Sequence, residues 1–359
     1  MHRLGVLKRT HDERTRIELT EPIPFTLSLS RPVPLSLSRR QDFSTMSRLA
    51  VALLFLVMLS SCSTVAPDGG AARLRQTADL IEEVKAFGKT LGIEPTDALR
   101  RTSQGGPSLA MLWLWMQREG TLALGGPVDI RLAIGLNIDK EAPKLEQVYR
   151  VDGYSVYYRQ GSEFADPRSV ATIGFAEEAL VRRAKVILHE DLHGDVNFAL
   201  PWEIEEAIVT PLGSLAVIEY LRQKADEKNL QNALLSLSEE RKVSRELMAL
   251  IEEAQRIFAS ANVDNAKQQI ISRLPRYPDY QRQFERQTRD QHSGTVLEAK
   301  LSHDLAYYRY FDAIAALADK APSLRTLIED LKTLPENTGH LELAKHLREL
   351  DSKYSSAMR

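Results

Sequence analysis

Cysteine is almost missing from this chain: Cys62 stands alone among 359 residues. No intrachain disulfide can form, and a structural zinc site built from several thiolates is excluded. Any metal must therefore be held by histidine and carboxylate. Histidine is itself sparse, with eight in the chain. An excess of one charge sign is also lacking. The 47 basic and 49 acidic residues leave a net charge of −2, so nucleic acid is not an expected partner. Long hydrophobic runs are absent too. The strongest, Leu49 to Leu59, has eleven residues, whereas a membrane-spanning helix needs about 20.

That short run has informative neighbours. Met46-Ser47-Arg48 precedes it, with one positive charge, and Leu59-Ser60-Ser61-Cys62 follows. The order matches a secretory signal over 46–61, and its end resembles a bacterial lipobox. That resemblance implies lipidation of Cys62, which becomes the mature N-terminus. Acyl chains contribute ~0.8 kcal/mol per buried CH₂, enough for a firm membrane anchor. The expected location is the bacterial cell envelope. Ser63 is compatible with sorting to the outer membrane, facing the periplasm. Residues 1–45, rich in Arg, Ser, Pro and Thr, show no periodic pattern. They read as a disordered extension or as a misplaced start, with translation beginning at Met46.

The lipidated cysteine and a linker occupy 62–72, and 73–359 reads as a single domain. A helix is expected from Leu74 to Leu91, with Ile81, Val84, Phe87 and Leu91 near one face. Alternating Val128, Ile130, Leu132 and Ile134 suggest a strand, and Val148 to Tyr158 suggests another. Gly-Gly-Pro at 105–107 and 125–127 marks turns. From Glu177 onward the pattern is nearly all helical. Apolar stripes from Leu230 to Phe258 read as a helical hairpin with solvated charged faces. A final helical section spans about 294–350, broken near Ala321-Pro322 and Leu334-Pro335. The fold class is therefore α+β, predominantly α-helical, with a small β-sheet and a C-terminal helical section.

Chemistry concentrates at His189-Glu190-Asp191-Leu192-His193. At 100° per residue, His189 and His193 stand one turn apart on one helix face. Two imidazoles so placed can bind one zinc ion, with Glu190 beside them as general base. The segment Glu177–Leu188 supplies the helix, and Gly194 sits where helices often end. A third ligand is needed. Pro201-Trp202-Glu203-Ile204-Glu205-Glu206-Ala207 opens a second helix after a loop of about six residues. Helical position alone leaves Glu205 and Glu206 as alternatives.

These residues resemble a family, the bacterial zinc aminopeptidases of the gluzincin type. Its pattern is HExxH with a glutamate thirteen residues after the second histidine, which here is Glu206. Looser likenesses are Phe87 to Ile93, Gly106-Pro107 to Trp115, Gly153-Tyr154-Ser155-Val156-Tyr157 and Leu305 to Tyr310. Together they cover roughly 85–335. The resemblance implies a zincin-like metallopeptidase core and a Zn²⁺ cofactor on His189, His193 and Glu206, with Glu205 as second choice. It also implies a peptide substrate cleaved as an aminopeptidase would. Two departures stand out. Asp191 replaces an apolar residue, on the face opposite the metal, where a buried carboxylate needs a partner. Glu205 replaces the family's asparagine.

Peptide hydrolysis also needs a donor for the tetrahedral oxyanion. Candidates are Tyr307, Tyr308, Tyr310, His303 and His292. His340 and His346, six apart, read as solvated. Trp113, Trp115 and Trp202 read as core, and Tyr154, Tyr157 and Tyr158 border a cleft if their strand is an edge. The expected activity is a membrane-anchored zinc metallopeptidase. Two rivals remain: an envelope lipoprotein scaffold that binds a partner through its helical hairpin, and a zinc amidase acting on a non-peptide or cell-wall substrate.

Overall fold

A computed structural model describes residues 68–107, 111–124, 129–134, 138–195, 198, 200–289, 291 and 296–357. The readings on 1–67, including the signal and Cys62, lie outside these residues, as do the 125–127 turn, Val128 and His292. Among the described residues no helix is long and apolar enough to cross a membrane.

The chain enters through α1 (Asp68–Thr90). Leu74, Ile81, Val84 and Phe87 form its buried stripe, and the chain reverses at Gly92, whose φ is +80°. Two strands form next, β1 (Leu99–Ser103) and β2 (Met111–Arg118), followed by β3 (Asp129–Ile134). A helix, α2 (Ile138–Tyr149), then leads to β4 (Tyr154–Gly161) and a short β5 (Val170–Thr172). The expected strand over 148–158 is thus displaced. Val148 and Tyr149 close α2, Gly153 supplies a turn at φ +78°, and the strand begins at Tyr154.

The small sheet divides in two. β1 and β5 pair in parallel, while β2 lies between β3 and β4 in an antiparallel sheet. In that sheet Trp113 stands opposite Arg159 and Trp115 opposite Tyr157. Alternation sorts the side chains by face. Leu112, Leu114, Met116, Val156 and Tyr158 pack towards Ala142 of α2. Trp115 and Tyr157 pack the other way, onto Ala299 and Ala306.

The rest is helical: α3 (Ile173–Glu177), α4 (Leu180–Gly194), α5 (Trp202–Gln223), α6 (Glu227–Ser260) and α7 (Val263–Arg273). After a 3₁₀ turn come α8 (Pro278–Thr288), α9 (Leu297–Tyr308), α10 (Phe311–Ala318), α11 (Leu324–Leu331) and α12 (His340–Ala357). All described residues belong to one compact unit, Val65–Arg359. The apolar stripes from Leu230 to Phe258 lie on a single 34-residue helix, α6, and not on a hairpin. No glycine or proline interrupts that stretch, so nothing breaks its hydrogen-bond ladder.

α5 is the central rod. It touches α1, α4, α6, α9, α10 and α11, and residues Glu206 to Ile218 are all buried. A helix apolar all round belongs inside the core. Pro211 lies within it and removes one backbone donor, but packing on every side keeps the rod continuous. α4 and α5 approach closely because Gly213 carries no side chain. A Cβ there would sit 3.3 Å from the Cβ of His189. The fold thus presses the motif helix against the glutamate-bearing helix. The class is α+β and mostly helical, as the periodicities indicate.

Candidate metal centre

Three side chains converge where α4 meets α5. Nε2 of His189 and Nε2 of His193 are 3.1 Å apart. Glu206 places Oε1 3.4 Å from His193 Nε2 and Oε2 3.6 Å from His189 Nε2. One ligand atom from each residue lies within 4.8 Å of the others, so the group could hold a metal ion. A tetrahedral zinc site with bonds near 2.0–2.1 Å needs donors about 3.3–3.4 Å apart. The donor set and its spacing fit that requirement.

Glu205 faces the same histidine from behind. Its Oε1 lies 2.8 Å from Nδ1 of His193, which leaves Nε2 directed at Glu206. The two glutamates that sequence could not separate therefore take different places. Glu206 joins the triad, and Glu205 holds an imidazole.

Electrostatics follow from burial and from these neighbours. Burial pushes the His189 imidazole down to about 3, and the His193 charge adds to this. His193 moves the other way. Burial would lower it, but the Glu206 charge and hydrogen bonds to Glu205 and Glu206 prevail and raise it. Burial would raise Glu206, yet His193 and His189 hold its carboxyl at about 2. Glu190 is pushed up to about 8, chiefly by burial; His193 opposes this, Glu206 and Glu163 reinforce it, and Arg159 opposes it.

Asp191 lies on the far side of α4 and is fully buried. Its Oδ1 accepts from Thr96 N at 2.9 Å and from Thr96 Oγ1 at 2.7 Å, and it pairs with the Lys85 ammonium. The departure from an apolar residue is thereby explained: α1 contributes a buried cation to meet it. Gly194 is not the left-handed cap its position suggests. It is the last helical residue, and a Cβ there would come 1.9 Å from Cγ2 of Thr96. Close approach, not backbone conformation, requires glycine.

The oxyanion candidates separate. Tyr307 interacts with Arg159, Glu206 and Glu190, so it belongs to the site. Tyr308 packs in the second core, towards Phe311 and Gln283. Tyr310 is bonded to His340, accepting at or donating to Nδ1 at 3.3 Å and donating to the carbonyl at 3.0 Å. His303 is buried beneath Trp115 and Tyr157, with ring centroids at 4.6 and 4.9 Å. Its Nδ1 lies 2.8 Å from Asp304 Oδ1 and its Nε2 3.4 Å from Arg159 Nη1. With Nδ1–H donated to the carboxylate, Nε2 is an acceptor for the guanidinium, and the neutral ring has no donor left for an oxyanion.

His340 and His346 are not solvated. Both are half-buried, and His346 Nε2 lies 3.3 Å from the Asp330 carbonyl. Of the tryptophans, Trp115 is buried and Trp202 is 38% exposed. Trp202 links Trp115 at 5.3 Å to Tyr307 at 6.3 Å, so it stands at the rim of the site. β4 is an edge strand, but Gln291 occupies its edge at Tyr158, accepting from the backbone N–H at 2.8 Å and donating to the carbonyl at 3.0 Å. Arg159, Asp304 and Lys85 carry no motif that sequence could single out. Only the alternation that puts Arg159 on the Tyr157 face hints at its direction.

No family model, curated protein or solved structure matches this chain. The resemblance to zinc aminopeptidases therefore rests on the residues quoted for it.

Proposed function

We propose that this chain is a zinc-dependent metallopeptidase with a zincin-like core, held at the bacterial cell envelope by a lipid on Cys62. The observation that carries the reading is the His189, His193 and Glu206 triad, whose donor spacing of 3.1–3.6 Å matches a tetrahedral ion. Zinc, when bound, polarises the scissile carbonyl and makes water acidic enough to be activated near neutral pH. The residues divide the remaining work. Glu205 fixes the His193 ring through Nδ1. Glu190 takes the proton of the attacking water and delivers it to the leaving amine. Tyr307, with its hydroxyl kept protonated by burial, donates a hydrogen bond to the oxyanion. Aminopeptidase specificity comes from the resemblance alone.

The test uses the purified full-length protein. About one zinc per chain is expected by metal analysis, lost in His193→Ala. Glu190→Gln should keep the metal while peptide hydrolysis falls about 10²–10⁴-fold. Full activity in that variant would overturn the mechanism. Absence of zinc from the wild type would favour a non-catalytic scaffold, and cleavage of non-peptide amides alone would favour an amidase.

A further inference from the structure

Arg159 is an exposed cation at the wall of the metal site, outside the metal-holding and proton-transfer roles. It projects from β4 on the same face as Tyr157 and lies over the ring of Tyr307, 5.1 Å from its centroid. Its charge acts on both Glu206 and Glu190. Among the described residues its close partners are neutral: the Tyr307 ring and Nε2 of His303. A guanidinium cannot shed its proton and presents a fork suited to a carboxylate. Among the described residues no carboxylate is in ion-pair contact with this fork.

The support behind it is unusually well fixed. His303 Nε2 accepts from Arg159 Nη1, and His303 Nδ1 is held by Asp304. The other oxygen of Asp304 accepts from Tyr280 at 2.9 Å and from Lys300. Lys300, Asp304 and Tyr280 are completely buried. The Lys300 charge offsets that of Asp304, so this network stabilises the histidine tautomer and adds no net counter-charge for Arg159. Its effect is to aim a guanidinium.

A second observation concerns where a substrate would stop. Gln291 occupies both backbone groups of Tyr158 on the β4 edge. Ser155 to Tyr158 are buried and Gln291 caps Tyr158, so the accessible part of β4 begins at Arg159, and a peptide lying in the site from the open side would stop there. A chain end beside a cation is a carboxyl terminus.

We infer that Arg159 binds the free C-terminal carboxylate of a peptide substrate, with His303 and Asp304 as the residues that position it. The inference rests on the metallopeptidase reading and names its substrate class. Glu163, which also acts on Glu190, is a local competitor that would favour a terminal ammonium.

The probes are N-acetyl-Ala-Ala-Phe as free acid, the same peptide as C-terminal amide, and Ala-Ala-Phe amide with a free amino terminus. Binding to the zinc-loaded, full-length Glu190→Gln protein is measured by titration calorimetry. The free acid should bind at least tenfold tighter than either amide. Arg159→Gln should erase that preference with zinc content unchanged, and Arg159→Lys should restore part of it. His303→Gln should weaken the preference without removing zinc. In the active protein, Arg159→Gln should lower kcat/KM for the acid at least tenfold more than for its amide, with the difference in KM. An equal loss of kcat on both peptides would instead make Arg159 an oxyanion donor and overturn the inference. So would equal or absent binding of acid and amide, tighter binding of the free amino terminus, or a preference that survives Arg159→Gln. If the acid binds selectively but neither peptide is cleaved, the peptidase reading fails and this inference stands. If both are cleaved and bound alike, the reverse holds.

Discussion

Glu205 Oε1 lies 2.8 Å from Nδ1 of His193, so the carboxylate next to the triad glutamate grips the triad histidine from behind. A ring held at Nδ1 presents Nε2 in one orientation and as a stronger base. Adjacent residues on α5 thus serve two purposes: Glu206 offers its oxygens to the ion, and Glu205 aims the imidazole. Glu205→Ala is expected to weaken zinc affinity about 10–100-fold, measured by competition with a chelator of known affinity. Glu206→Ala should remove stoichiometric binding altogether. Equal effects of the two substitutions would refute this division.

Asp191 and Lys85 form a pair buried on the side of α4 away from the metal. Breaking such a pair strands one charge in the core and costs about 3–5 kcal/mol, whereas replacing both partners by apolar residues can be nearly neutral. Asp191→Leu should therefore lower the urea unfolding free energy by about that amount. Adding Lys85→Met should recover most of it. A double variant no more stable than the single one would show that Thr96, which donates twice to Asp191, carries the interaction instead.

What sequence reveals here is what is local. The spacing of His189 and His193, the short return to Pro201 and the following glutamates all lie within twenty residues, and helical geometry places them without knowledge of the rest. Glu205 and Glu206 could not be separated, because their difference depends on how α5 rotates against α4, which Gly213 helps to set. Arg159 and His303 are 144 residues apart, and no periodicity connects a strand with a helix at that distance. Asp191 signalled that something unusual lay behind α4 but not that Lys85 of α1 would meet it. The hairpin reading of α6 failed for a simpler reason. Charged and apolar stripes do not mark a chain reversal, and the absence of glycine and proline from 227–260 was the better guide.

Gly194 offers a test of steric against conformational need. Its backbone is not left-handed, yet a Cβ would come 1.9 Å from Thr96 Cγ2, so Gly194→Ala must displace the Thr96 segment or the end of α4. Overpacking of this kind costs about 1–3 kcal/mol. Thr96→Ser removes the offending methyl and retains the hydroxyl that bonds Asp191. The double variant should therefore regain stability relative to Gly194→Ala alone in thermal unfolding. A glycine required for its conformation would gain nothing from the second change.

His340 should give the fold an acid-sensitive margin. Burial, aided by the positive charge of Arg309, pushes its imidazole down to about 4 from an ordinary 6.5, and Tyr310 is its hydrogen-bonded neighbour. Between pH 6.5 and 4 the unfolded chain takes up a proton that the folded chain refuses. More protons are then bound in the unfolded state, so stability rises with pH across this window. The contribution is complete above about pH 6.5 and lost as pH falls towards 4. Reduced for partial exposure, it amounts to about 1–2 kcal/mol. Urea unfolding at pH 7 and pH 4.5 should show wild type losing that much more stability than His340→Asn, which keeps an acceptor for Tyr310 but cannot be protonated. Parallel losses in the two proteins would mean that His340 titrates freely.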